Sequence, residues 1–188
     1  GELWNRRKSG EIYPEWATIS AVRGSGGGII NYVASFIDIS QRKTAEEEIK
    51  HLAFYDPLTG LPNRRLLIDR LRHALLSTSR SDSSGALLFI DVDNFKTLND
   101  TLGHDKGDLL LESMARRLAA AVREEDTIAR LGGDEFVILA EGLSMLETDA
   151  AAQARQVAEK ILESCKTPHD LQGVSYSCTA SVGITLFT

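Results

Sequence analysis

The chain has 188 residues, a formal net charge of -6 and a pI of about 5.3. That acidity argues against a surface built for a nucleic-acid polymer or an anionic membrane, but not against a nucleotide, because a metal ion can bring a polyphosphate to an acidic site. Hydrophobic residues make up 43%, enough for a core, and the two cysteines, Cys165 and Cys178, form neither a disulfide framework nor a CxxC zinc pair, so they read as reduced thiols of a cytoplasmic protein.

No apolar stretch reaches the length of a transmembrane span, and the N-terminus carries no signal-peptide pattern. Membrane contact is expected only from sequence upstream. The opening "GELWNRRKSG" reads as the middle of a domain.

In chain order, residues 1–39 read as strands and turns. "EIYPEWATISAV" and "IINYVASFIDIS" mix aromatic and β-branched residues in rough alternation, separated by the turn Arg23–Gly28. Two such strands are marginal alone and need more sheet or a partner. The period then changes. Ser40 can cap a helix, and Ala45, Ile49, Leu52 and Ala53 form a narrow apolar stripe on a charged linker helix. That stripe suits either a two-stranded contact or docking on its own domain.

"YDPLTGLPNRR" is turn chemistry, with Asn63 positioned to cap the helix that follows, where Leu67, Leu71, Ala74 and Leu75 share a side. Ser83–Gly85 reads as the end of a solvated loop. "ALLFIDVD", from Ala86, reads as a central strand buried on both faces. "FKTLNDTLGHDKGD" reads as a short helical piece and a loop. In the next helix Leu111, Ala115, Leu118 and Val122 make the stripe. "TIARL" and "EFVILA" form a β-hairpin around Gly132 and Gly133, another helix follows, and "VSYSCTASVGITLF" is the last strand region. Helices interleaved with strands around one hairpin imply an α/β (α+β) fold, a mixed sheet with covering helices.

The chemistry sits at strand ends. Asp91 ends an apolar run, where an unpaired carboxylate is costly and calls for a cation or hydrogen bonds. Asp134 and Glu135 at the hairpin tip converge on it if the hairpin lies beside that strand, a donor set suited to Mg²⁺ or Mn²⁺ carrying a triphosphate. Asp93 divides evenly between that role and a solvated turn acid. Gly132 and Gly133 serve either a positive φ or a ligand's close approach. Taken singly, Lys96, Asn99, His104 and Asp108 are weak signals: a phosphate-facing charge, a directional amide, a loop histidine and a helix-capping acid. Arg123 and Asp126 form an RxxD, either a surface ion pair or an arginine clamp for phosphate or guanine, and Arg130 could support the same surface.

Together, "DPLTGLPNRR", "FIDVDNFKTLNDTLGHDKGD", "REEDTIARLGGDEFVIL" and "TASVGIT" strongly resemble the GGDEF family of diguanylate cyclases. The resemblance implies a palm-like nucleotide cyclase fold and condensation of two GTP to cyclic di-GMP with release of two pyrophosphates across a homodimer. It implies Asp91, the Val92 carbonyl and Asp134 as metal ligands, with Asp134 also the proposed base, Glu135 in support and Lys96 near the phosphates. Asn99 and Asp108 match guanine-reading positions, His104 another substrate-side position, and Gly132 and Gly133 the place where the nucleotide passes the hairpin. Arg123 and Asp126 match the inhibitory product site. A non-catalytic module binding GTP or cyclic di-GMP is the alternative.

Residues 1–39 resemble the C-terminal half of a PAS sensor domain. The resemblance thus divides the chain into that part, a signalling linker helix over 40–52 and a cyclase domain over 53–188. The bacterial full-length protein could be membrane-anchored. Family members continue past the last strand with a helix and an "AK..GRN"-like segment contacting phosphates. That segment is expected to be missing here, since the chain stops at Thr188.

Overall fold

The computed structural model describes residues 1–188, with side chains at every position except 79–81. The chain divides into two compact units, Gly1–His51 and Leu52–Thr188.

In the first unit, β1 (Glu2–Arg6), β2 (Ile12–Arg23) and β3 (Ile29–Asp38) form an antiparallel sheet in that order. The first of these strands was not anticipated from the sequence. The sheet carries little core of its own: Trp4, Ile19, Tyr32 and Phe36 are all exposed. Its one buried acid, Glu15, is satisfied by Asn5 Nδ2 at 3.0 Å and the Tyr13 hydroxyl at 2.9 Å. The helix α1 (Ser40–Phe54) starts differently from the expectation. Ser40 is its first residue, and the cap is Asp38, whose Oδ1 accepts from Ser40 N at 2.9 Å. These Ser40 bonds, with Arg7, hold the Asp38 carboxyl at about 2. No residue of α1 is buried, so Ile49 and Leu52 stand exposed.

The second unit is built on a four-stranded sheet in the order β5-β6-β4-β9, where β4 is Ser84–Val92, β5 Thr127–Gly132, β6 Glu135–Leu143 and β9 Ala180–Phe187. Every pairing in it is antiparallel, so the sheet is not mixed. The hairpin inserts β6 between β4 and β5, and so keeps those two like-directed strands apart. The isolated bridge Asn63–Arg130 is parallel.

One face packs on α4 (His104–Ala121) and α5 (Glu147–Lys166), through Leu88, Ile90, Phe136 and Ile138 against Leu111, Met114, Leu118 and Ile161. The other face packs on α2 (Arg64–Ser81) through Leu67 and Ala74 against Ala129, Val137 and Leu139. Asn63 caps α2 as expected, accepting from Arg65 N and Leu66 N. The buried side of α2 continues through Thr78 rather than Leu75, which is 41% exposed.

Four further local expectations change. Gly85 lies within β4, not in a loop, and a Cβ there would stand 2.1 Å from the Phe187 ring. The strand β4 is central but not buried on both faces: Phe89 and Asp91 are exposed because α2 covers only the part of that face near Leu87. The expected loop after α3 (Phe95–Leu102) shrinks to one residue, Gly103, with φ of 86°. The last strand region splits into β8 (Ser175–Tyr176), paired with β7 (His169–Asp170), and then β9.

Candidate active site

The antiparallel register decides which acids meet. Asp91 on β4 stands opposite Glu135 on β6 and opposite Ser181 on β9, so the three share one cross-strand row and one face. Gly132 stands opposite Glu135 and extends the row to β5. Val92 N donates to the Asp134 carbonyl at 3.4 Å, which ties the hairpin tip to the end of β4. The expected convergence of Asp91, Asp134 and Glu135 is therefore the arrangement found.

Its electrostatics are those of crowded acids. Burial, then Asp134, Glu135 and Asp93 as neighbouring charges, push the Asp91 carboxyl above its usual value. Among the described residues no basic side chain offsets them. Asp91 is exposed, so the cost comes from like charge as well as partial desolvation, not from a dry interior. Among the described residues no three acidic, histidine or cysteine side chains close into a metal-binding cluster. Uncompensated carboxylates repel, and an oxygen-lined row of this kind fits a hard divalent cation, with Asp91, Asp134 and the Val92 carbonyl as available donors. Beside the row lies a cavity of 490 Å³, lined by Phe89, Asp91, Leu131, Glu135, Ser181 and Gly183.

Asp93 behaves differently. Its two oxygens accept from the Thr179 hydroxyl at 2.5 Å and the Ser181 hydroxyl at 2.8 Å, and its N donates to the Thr179 carbonyl at 3.0 Å. Those hydroxyl bonds hold its carboxyl below the usual value. It anchors the end of β4 to β9, just before Asn94 turns left-handed at φ of 61° into α3.

The hairpin glycines both have positive φ, 143° at Gly132 and 53° at Gly133, and a Cβ at either would meet nothing within 4 Å. The turn therefore requires them, and open space lies beside them. Arg130 does not support the RxxD surface. Its Nε and Nη2 donate to the Gly133 carbonyl at 3.0 and 2.7 Å, and its Nη1 pairs with Asp56 Oδ1 at 2.9 Å. The sequence reading did not single out Asp56, 74 residues away.

Lys96 and His104 are exposed. His104 is the first residue of α4 rather than part of a loop, and Asp108 lies within that helix instead of capping it. Asn99 on α3 turns its Oδ1 toward Gly107 on α4, where it is buried without a hydrogen-bond partner. Such an orphan costs about 1–3 kcal/mol.

Arg123 and Asp126 sit at the opposite end of β5 from the glycines, and no ion pair joins their side chains. Asp126 accepts from Arg123 N at 3.0 Å and from Glu141 N at 3.4 Å. The Arg123 guanidinium is exposed, 3.9 Å from Glu125. A separate cavity of 190 Å³ is lined by both residues together with Gln153, Gln156 and Lys160 of α5, none of which the sequence reading had named.

A four-stranded antiparallel sheet flanked by helices, with acids at the end of a central strand facing a glycine hairpin, defines a palm-like α+β domain. The chain belongs to the GGDEF-domain family: the family model described as "Diguanylate cyclase, GGDEF domain" matches residues 53–188. The diguanylate cyclase TpbB of Pseudomonas aeruginosa is 41% identical over 140 residues, 74% of this chain and 31% of that protein. The bifunctional diguanylate cyclase/cyclic di-GMP phosphodiesterase MucR of the same species is 46% identical over 143 residues, 76% of this chain and 20% of its own length. The solved GGDEF domain of TpbB superposes with a TM-score of 0.67 at 40% identity, covering 71% of this chain and 75% of that one. The chain thus spans a fifth to a third of these two curated relatives. No helix among the described residues is long and apolar enough to cross a membrane.

Proposed function

We propose that residues 53–188 form a diguanylate cyclase domain that condenses two GTP into cyclic di-GMP and two pyrophosphates, each domain of a homodimer holding one GTP. The observation that carries this is the acid row: Asp91 opposite Glu135, with Asp134 tied to Val92 and no basic side chain among the described residues to offset them. A module that only binds nucleotide has no chemical need for that arrangement.

Asp91, Asp134 and the Val92 carbonyl would hold Mg²⁺ or Mn²⁺. When bound, the cation would neutralise phosphate charge and lower the pKa of the attacking hydroxyl. Asp134 accepts the proton of the 3′-hydroxyl as that oxygen bonds to the α-phosphorus of the other GTP and pyrophosphate leaves. Glu135 supports Asp134. Lys96 and His104, both free to solvent, meet the phosphates and substrate edge. Asn99 and Asp108 read guanine, and Gly132 and Gly133 give the nucleotide room to pass. Arg123 and Asp126, lining their own cavity, bind cyclic di-GMP as inhibitor. Residues 1–39 act as the end of a PAS sensor domain and residues 40–52 as its signalling helix, in a bacterial cytoplasmic setting.

A second reading, a regulatory domain that binds nucleotide without synthesis, is favoured by relatives named as cyclic di-GMP phosphodiesterases. NbdA of P. aeruginosa is 35% identical over 149 residues and PdeR of Escherichia coli 33% over 163. Incubation with GTP and Mg²⁺ separates the two. The cyclase yields cyclic di-GMP and pyrophosphate in a ratio of one to two, whereas the regulatory domain binds GTP and releases neither.

A further inference from the structure

We propose that Gly107 is a positioning residue for nucleotide specificity: its bare Cα forms the seat that locks the Asn99 amide in one orientation. This rests on the reading of residues 53–188 as a GTP site and concerns what sets its choice of base.

Two independent observations meet at this point. A Cβ on Gly107 would lie 2.0 Å from Asn99 Oδ1, 3.0 Å from Asn99 Cγ and 3.2 Å from Phe95 Cζ. No L side chain fits there while Asn99 stays where it is. The same Oδ1 is buried without a hydrogen-bond partner, which is rare in a folded protein.

Backbone conformation does not call for this glycine. Gly107 is an ordinary helical residue of α4, buried, with its N–H donating to the Gly103 carbonyl at 3.3 Å, and glycine inside a helix is unfavourable relative to alanine. Close approach of Asn99 is what the missing side chain provides.

An asparagine amide that turns freely presents either its oxygen or its nitrogen. Guanine and adenine differ in donor and acceptor pattern on the same edges, so only an amide held one way round distinguishes them. With Oδ1 sequestered against Gly107 and the residue half-buried overall, the amide nitrogen is the end left accessible. The next residue, Asp108, is exposed on the same helix. The seat that holds the amide is therefore the immediate sequence neighbour of the second guanine-reading position.

The clash falls on the tip of a short side chain, not on backbone. Gly107→Ala should therefore displace Asn99 and leave the fold intact. Calorimetric titration with α,β-methylene GTP and α,β-methylene ATP, each with Mg²⁺, tests this on the wild type, Gly107→Ala, Asn99→Ala and the double variant. Gly107→Ala should weaken the GTP analogue about tenfold and leave the ATP analogue within about twofold. In the Asn99→Ala background it should add less than about twofold, because the amide it displaces is gone. Unchanged GTP-analogue affinity in Gly107→Ala overturns the proposal. So does an equal loss for both nucleotides, or a loss that persists without Asn99. A wild type that does not bind the GTP analogue overturns the GTP site itself, and that is seen before any variant is compared.

Discussion

Asp56 Oδ1 lies 2.9 Å from Arg130 Nη1, an ion pair that joins the loop before α2 to the strand leading into the glycine hairpin. Both side chains are largely buried, Arg130 at 11% and Asp56 at 17% exposure, and the other arm of the guanidinium holds the Gly133 carbonyl. Arg130→Ala should cost about 2 kcal/mol in urea unfolding and loosen the hairpin, lowering turnover. Arg130→Lys should recover only part, because it lacks the fork that reaches Asp56 and Gly133 together. Burial works against ionised Asp56, but the bonds from Thr59 and Arg130 outweigh it and hold its carboxyl below 3.8. The stabilisation from this pair is therefore complete above that value and lost as pH falls below it.

Asp93 should behave as a positioning residue. Asp93→Ala frees the end of β4 from Thr179 and Ser181, and a displacement near 1 Å at reacting groups costs up to about 100-fold in rate. Steady-state kinetics should show kcat falling more than KM rises. The Thr179→Val/Ser181→Ala pair should reproduce most of that loss. A rise in KM at unchanged kcat would place Asp93 on the nucleotide instead.

The two residues of the RxxD should separate cleanly. Arg123 points its guanidinium into solvent, so Arg123→Ala should raise the cyclic di-GMP concentration needed for half inhibition at least about tenfold while sparing initial turnover and stability. Asp126 holds two backbone N–H groups, so Asp126→Ala should also destabilise the fold, by about 1 to 2 kcal/mol. Initial rates against added product, with urea unfolding of both variants, check this.

His169 gives the second unit an acid limit. It is fully buried, its Nδ1 2.8 Å from the Ser113 hydroxyl and its Nε2 3.1 Å from Arg117 Nη1, and burial together with Arg117 depresses it from 6.5 to about 4. The neutral ring accepts from Arg117, so its Nδ1–H donates to Ser113. Stability is whole above pH 6.5 and falls as pH drops from 6.5 toward 4, by roughly 3 kcal/mol at the lower end. His169→Gln should flatten the dependence of the urea midpoint on pH across that window.

Features with a local cause were legible in the sequence. Asn63 caps α2 because its side chain reaches N–H groups two and three residues on, and the hairpin follows from glycines that accept positive φ. The apolar run of β4 located the strand but not its exposure. Leu87 and Phe89 look alike in sequence, and only the reach of α2 covers one and leaves the other open. The acids of the row were legible because Asp91, Asp134 and Glu135 lie in two short motifs. Asp56 with Arg130, Asp93 with Ser181 and Asn99 with Gly107 depend on chain crossings or helix contacts that no periodicity encodes. Polar Thr179, just before β9, and Ser181 within it were the available hint of the second pairing.

The most direct measurement is product formation from GTP by the wild type and Asp134→Ala side by side, with Mn²⁺ binding recorded by electron paramagnetic resonance in the same samples. The account predicts cyclic di-GMP from the wild type, no product from the variant, and weakened Mn²⁺ binding by the variant with its fold intact. A dimeric wild type that binds GTP and Mn²⁺ yet yields no cyclic di-GMP, or a variant that still turns over, would contradict it.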